Sequence, residues 1–426
     1  MPNLRNAARD FYDRNLLERV IIYIFLSQFL VQVIFEIGMG QGSLSQGQNK
    51  QWAFYLMLAV DYLLSVKKVS NIRFTINVTS CMAFVFFIMV AHGLFMGLMV
   101  GNKPFTIMND TIPLLMIGMN ILRFQSEAEY KPIDMRFLLN TCGYIILGSG
   151  VLGFISNMTL HRSHPTIAGA IVYFPLFFAC LFMLKKFPKW IIVLTLFLIS
   201  VTIEDFNRTT MAFFVIVLAA YFLLNAIRFP VRGIVIFILM ILGLAIAVNM
   251  VPEGSKTYNR VVGLTQVDLS ESKGSIGERQ EEWRAINRKY EESSSTVEFF
   301  GLGFGGVYEV ARTHTYLKNY GHAHYSWAWF KLRFGQLGYV YLLIFISVLA
   351  YNGFVWGMRM DCVGIFVMLL CLISILYCFT YVNATLLMMG IQFAYHRSDI
   401  LYRNRDEQDD EVVRYKKRAI QDHDEE

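Results

Sequence analysis

Ile76 to Val100 reads INVTSCMAFVFFIMVAHGLFMGLMV, 25 residues with no Asp, Glu, Lys or Arg among them. At ~1.5 Å of rise per residue, such a run crosses the ~30 Å hydrocarbon layer as a helix that satisfies its own backbone hydrogen bonds where water cannot. Apolar runs of this kind recur along nearly the whole chain. Of 426 residues, 55% are hydrophobic, 15% aromatic and only 16% charged, and mean hydropathy is +0.46, far above an ordinary soluble domain. The composition predicts an all-α, polytopic transmembrane protein. The short alternating segments of a membrane β-barrel are missing.

Spans are expected near 20–37, 52–66, 76–100, 105–122, 137–155, 166–184, 190–203, 211–227, 233–251, 338–356, 362–381 and 384–396, about twelve crossings with ends uncertain by ~2–4 residues. The runs at 52–66, 190–203 and 384–396 are short enough to be re-entrant. Arg5, Arg9, Arg14 and Arg19 precede or open the first run, which is long and lacks a small-residue cleavage site, so it reads as a retained helix and not a signal peptide.

Alternate loops carry the basic residues: Lys67, Lys68 and Arg73; Arg123, Lys131 and Arg136; Lys185, Lys186 and Lys189; Arg228 and Arg232; Arg359. By the positive-inside bias both termini are cytoplasmic. The organisation is then a cytoplasmic N-terminus (1–19), nine spans (20–251), a large outer loop (252–337), the C-terminal spans (338–396) and a charged cytoplasmic tail (397–426). The six cysteines fall within apolar runs without metal-ligand spacing, and read as reduced thiols. The net charge of +6 comes mainly from cytoplasmic anchors and does not point to nucleic acid.

The outer loop has structure written into it. Ser275-Ile276-Gly277-Glu278 fits a capping box, and the helix expected through about Glu292 puts Arg279, Trp283, Ile286 and Tyr290 on one face, with Glu281, Glu282 and Arg288 elsewhere. Arg279 on an apolar face is either a snorkelling or ion-paired side chain, with Glu278 or Glu282 as partner, or a ligand for an anion held against the membrane domain. Phe299-Phe300-Gly301-Leu302-Gly303-Phe304-Gly305-Gly306 suits a tight turn where backbone approaches something closely. As a phosphate loop it is a weak match, lacking GK[ST] and a preceding parallel strand.

Gly321-His322-Ala323-His324-Tyr325 runs into a helix expected from Tyr325 to Gly335. An imidazole there is either structural or a base that takes a hydroxyl proton near neutrality. His322 is a candidate for orienting a substrate. Arg208, in Glu204-Asp205-Phe206-Asn207-Arg208, joins two apolar runs on the outer side, so it is no cytoplasmic anchor. It either pairs with Asp205 or Glu204 or serves function. Trp327, Trp329, Tyr316, Tyr320 and Tyr325 suit sugar stacking and an interfacial aromatic belt equally well.

Taken together, Arg208 after a span, Arg279-Gln-Glu-Glu-Trp283, Gly301-Leu-Gly303-Phe-Gly305, and His324-Tyr325 followed after nine residues by Gly335-Gln-Leu-Gly338 resemble the O-antigen ligase and O-antigen polymerase superfamily. The motif similarity covers roughly residues 200–345. The resemblance implies a GT-C-like fold in a bacterial cytoplasmic membrane, and transfer of glycan from an undecaprenyl-pyrophosphate carrier to another lipid-linked repeat unit or to lipid A–core on the outer face. It implies that Arg208 and Arg279 bind the pyrophosphate, that His324 is the general base, and that His322, Tyr325, Trp283, Gly303, Gly335 and Gly338 lie in the substrate-binding part. The chain departs from the family pattern at Tyr325, where Asn, Ser or Gln is usual. No metal or other cofactor is expected, since no DxD-like carboxylate pair is evident in the outer loop. Expected partners are the lipid-linked donor, the acceptor, the bilayer, and chain-length regulator and flippase proteins. A transporter of lipid-linked sugars and a non-catalytic assembly subunit are the alternatives from other classes.

Overall fold

The computed structural model describes residues 10–12, 14–34, 46–69, 78–126, 133–160, scattered positions between 219 and 242, 275–312, 315–321, 323, 326–359 and 361–376. The runs at 166–184, 190–203 and 384–396 and the charged tail lie outside the described residues, and those at 211–227 and 233–251 are described only at scattered positions.

The described chain is mostly helical. Helices α1 (Leu16–Gln32), α2 (Gln46–Val69), α3 (Val78–Met99), α4 (Pro104–Ser126) and α5 (Met135–Leu160) occupy the first five apolar runs. Two more, α9 (Leu337–Arg359) and α10 (Cys362–Leu376), follow residue 336. Cys81–Met99, within α3, and the whole of α9 are long and apolar enough to cross a membrane.

Both helices are apolar on the outside as well. On α3, Met82, Phe86, Met89 and Met96 are buried, yet Phe84 is 67% and Phe95 60% exposed. On α9, Phe345, Leu349 and Trp356 face inward while Leu343 and Phe354 are 65% and 67% exposed. Water would penalise such surfaces by ~25 cal/mol per Å², and lipid would not.

The start of α1 is stitched to its neighbours by charge. Asn15 caps it, its side chain accepting from the Leu17 amide at 2.9 Å. Arg19 and Asp61 of α2, both buried, form an ion pair with Nε 3.0 Å from Oδ1, and the Tyr23 hydroxyl donates to the same Asp61 oxygen at 2.8 Å. Arg19 Nη1 also donates to the Tyr12 and Arg14 carbonyls, each at 2.6 Å. Glu18 accepts from the Asp134 amide at 2.5 Å, next to the start of α5. Cys81, Cys142, Cys362 and Cys371 are free thiols.

The segment expected to be the outer loop contains α6 (Ser275–Glu291), α7 (Ser295–Phe300), strands β1 (Tyr308–Arg312) and β2 (Thr315–Tyr320), and α8 (Ser326–Phe334). The strands pair antiparallel, Val310 opposite Leu317 and Arg312 opposite Thr315, and the register shifts between Tyr308 and Val310. The hairpin corrects the all-α expectation. Its inward side chains, Tyr308 and Val310, are buried around an exposed Glu309, and α6 packs against β1.

Candidate functional site

The helix α6 turns one stripe inward: Glu282, Ala285, Ile286 and Tyr290 are buried. This is rotated from the expected face, since Glu282, read as lying elsewhere, is only 2% exposed, while Arg279 and Trp283 are half-buried at the stripe's edge. Glu282 falls three residues before Ala285 and four before Ile286, so the helical repeat puts it in their stripe.

Two contacts bind α6 to α8. The Tyr290 hydroxyl donates to the Lys331 and Leu332 carbonyls at 2.5 and 3.1 Å, and burial raises its pKa, so it remains a donor. Lys331 reaches back, Nζ donating to Asn287 Oδ1 at 2.6 Å and lying 5.0 Å from the Trp283 ring centre and 5.4 Å from that of Tyr290. Burial lowers the Lys331 pKa, opposed by the Glu298 and Glu291 carboxylates.

After α7 the chain makes the Gly-rich turn, with Gly301, Gly303 and Gly305 all at positive φ. At Gly303 (φ 68°) a side chain would enter the backbone of α3 at Gly97. Gly93 and Gly97 leave a bare stripe on α3, and the Phe304 ring lies against Gly93. Every amide from Leu302 to Gly306 is taken by protein: Leu302 donates to Leu332 O (3.2 Å), Gly303 to Arg333 O (3.0 Å), Phe304 to Gly93 O (2.7 Å), Gly306 to Gly303 O (3.3 Å), and Gly305 to Asp110 Oδ2 (2.7 Å). Asn102, after α3, donates through Nδ2 to the Leu302 and Phe304 carbonyls at 2.7 and 2.8 Å. The turn is a docking knob, with no amide left to cradle a phosphate.

Beneath the knob is a buried ion pair. Arg333 Nη2 lies 2.8 Å from Asp110 Oδ2 of α4, the side chains 3% and 7% exposed. The same guanidinium donates to the Gly306 carbonyl through Nη1 at 2.5 Å and to the Gly321 carbonyl through Nη2 at 2.7 Å. His92 of α3 completes the layer, Nδ1 3.4 Å from the Tyr341 hydroxyl and its ring 5.5 Å from that of Phe334.

Of the residues expected to carry chemistry, Arg279 and Trp283 sit on α6, and the Trp283 ring lies against Lys331. Arg208, His322, His324 and Tyr325 lie outside the described residues. Gly335 closes α8 at φ 57°, its amide donating to Lys331 O at 2.8 Å, and a Cβ there would sit 2.6 Å from the Gly301 nitrogen. A Cβ on Gly338 would sit 2.6 Å from the Phe330 carbonyl carbon. Packing therefore accounts for Gly303, Gly335 and Gly338. Sequence reasoning missed Asp110, Arg333, Asn102 and Lys331. An Asp inside the run at 105–122 was the available signal for the first, on the ground already applied to Arg208. Among the described residues no group of His, Cys, Asp and Glu is placed to hold a metal ion. Neither a family model nor a curated protein matches the chain.

Proposed function

We propose that the protein is an inverting glycosyltransferase of about twelve spans in a bacterial cytoplasmic membrane, with both termini cytoplasmic, that polymerises undecaprenyl-pyrophosphate-linked oligosaccharide repeat units on the outer face. One observation carries this reading. The helix bearing Arg279 is bonded to the helix that opens two residues after His324, and the turn between them is seated on α3, which is long and apolar enough to cross a membrane. A loop built in this way is suited to present a base and a guanidinium at the level where a lipid-anchored diphosphate emerges.

In this mechanism Arg279 and Arg208 hold the pyrophosphate and stabilise the charge that develops as the bond from the anomeric carbon to its oxygen breaks. The acceptor hydroxyl oxygen attacks from the opposite side while the His324 imidazole takes its proton, for ~10²–10⁴-fold in rate. Undecaprenyl pyrophosphate leaves with the bonding electrons. One displacement inverts the anomeric centre, and two guanidiniums make a metal unnecessary for the leaving group.

Purified protein in lipid discs, given undecaprenyl-pyrophosphate oligosaccharide, is expected to make a ladder of longer lipid-linked chains. His324→Ala and Arg279→Ala should abolish the ladder with folding intact. A capped core formed only when lipid A–core is added would replace the polymerase by a ligase, and translocation of unextended substrate, indifferent to both substitutions, would replace it by a flippase.

A further inference from the structure

We infer that Asp110 and Arg333 are a positioning pair that seats the Gly-rich turn and the chain entering His324 on the ends of α3 and α4; only its catalytic consequence rests on the glycosyl-transfer reading.

The two acceptors of Arg333 are placed tellingly. Gly306 lies two residues before β1 and Gly321 directly follows β2, so one guanidinium ties the chain entering the hairpin to the chain leaving it. Gly321 is three residues before His324, and Ala323, next to the histidine, is fully buried. The approach to His324 is thus held by a directed bond and by packing. Asp110 holds the other side of the same junction, since its Oδ2 accepts both from Arg333 and from the Gly305 amide. One carboxylate oxygen thus bonds both to the turn and to the arginine that ties the hairpin base.

The chemistry chosen for the junction argues for position over mere adhesion. An ion pair buried to this degree is no stronger a glue than apolar side chains of equal volume, because both charges must leave water. What it adds is direction. A planar fork that stays charged can address a carboxylate and two carbonyls at set angles, and a lysine ammonium, a single point donor, cannot span all three.

Arg333→Lys keeps a positive charge opposite Asp110 and so preserves the fold while losing the fork. In the full-length protein in lipid discs, hydrogen exchange of amides 302–306 and 319–323 is expected to quicken at least tenfold in this variant, with amides 82–90 of α3 unchanged. Chain elongation should lose at least tenfold in kcat, with KM for the lipid-linked donor within twofold. Arg333→Ala should be more severe in both readouts, and added guanidinium ion should restore both. Unchanged exchange in the two variants overturns the seating. Faster exchange with undiminished kcat overturns the positioning role and leaves an ordinary structural contact. Absence of turnover in the wild-type protein, or full turnover in His324→Ala, defeats the glycosyl-transfer reading alone, and exchange with guanidinium rescue still decides the seating.

Discussion

Among the described residues two arginine–aspartate pairs are buried, and they differ in what they join. Arg19 and Asp61 are 42 residues apart and lock neighbouring helices α1 and α2, and Arg19 also bonds the Tyr12 and Arg14 carbonyls just upstream. Arg333 and Asp110 connect α8 to α4, and the other Arg333 bonds go to carbonyls on either side of a hairpin. The chemistry is the same and so is the burial. A pair that closes on its own surroundings can only hold helices together, whereas a pair whose spare donors reach into a loop also decides where that loop sits.

Removing one carboxylate from each pair tests the contrast most directly. Asp61→Ala and Asp110→Ala each strand a buried guanidinium, at a cost of ~3–5 kcal/mol, read as a lower melting temperature from the reactivity of the buried thiols Cys142 and Cys371. The fraction that remains folded should keep its rate per molecule in Asp61→Ala and lose it in Asp110→Ala. Equal losses of rate would erase the distinction.

A smaller effect is expected where the loop is undocked without touching charge. Gly303→Ala forces a side chain into α3 at a positive φ, ~1–3 kcal/mol from backbone strain, and should mimic the exchange pattern of Arg333→Lys. An unchanged exchange map would mean that the knob is not what seats the loop. Smallest is Asn102→Ala, which leaves the Leu302 and Phe304 carbonyls without their Nδ2 donor, ~1–3 kcal/mol in total. It should loosen 302–304 and spare 319–323, because Arg333 still holds Gly321; loosening of both segments would show that the two anchors do not act separately.

Much of the frame was legible because it is local. Helices α1 to α5 and α9 overlap their apolar runs, and α6 starts at Ser275, where a helix start is expected, since such signals are written in consecutive residues. Gly303 could be read as a close approach. Its partner could not, because Gly97 is remote in the chain and a glycine carries no sign of what it will touch. Five residues of β1 are too few for alternation to stand out beside Gly305-Gly306. Glu282 is expected off the Arg279–Tyr290 face, but it stands four residues before Ile286 and turns inward with Ala285, Ile286 and Tyr290. Asp110 and Arg333 are unremarkable singly, and only the folded chain makes them one feature.

The glycine stripe of α3 has a consequence for how the protein is made. Asn102 and Leu302, which meet across the docked turn, are 200 residues apart, and a ribosome delivers α3 long before the turn exists. Gly93-Leu-Phe-Met-Gly97 has the small-xxx-small spacing by which helices associate in a bilayer. The nascent helix is therefore made with an adhesive seam uncovered, and Phe304, arriving late, is the chain's own plug for it.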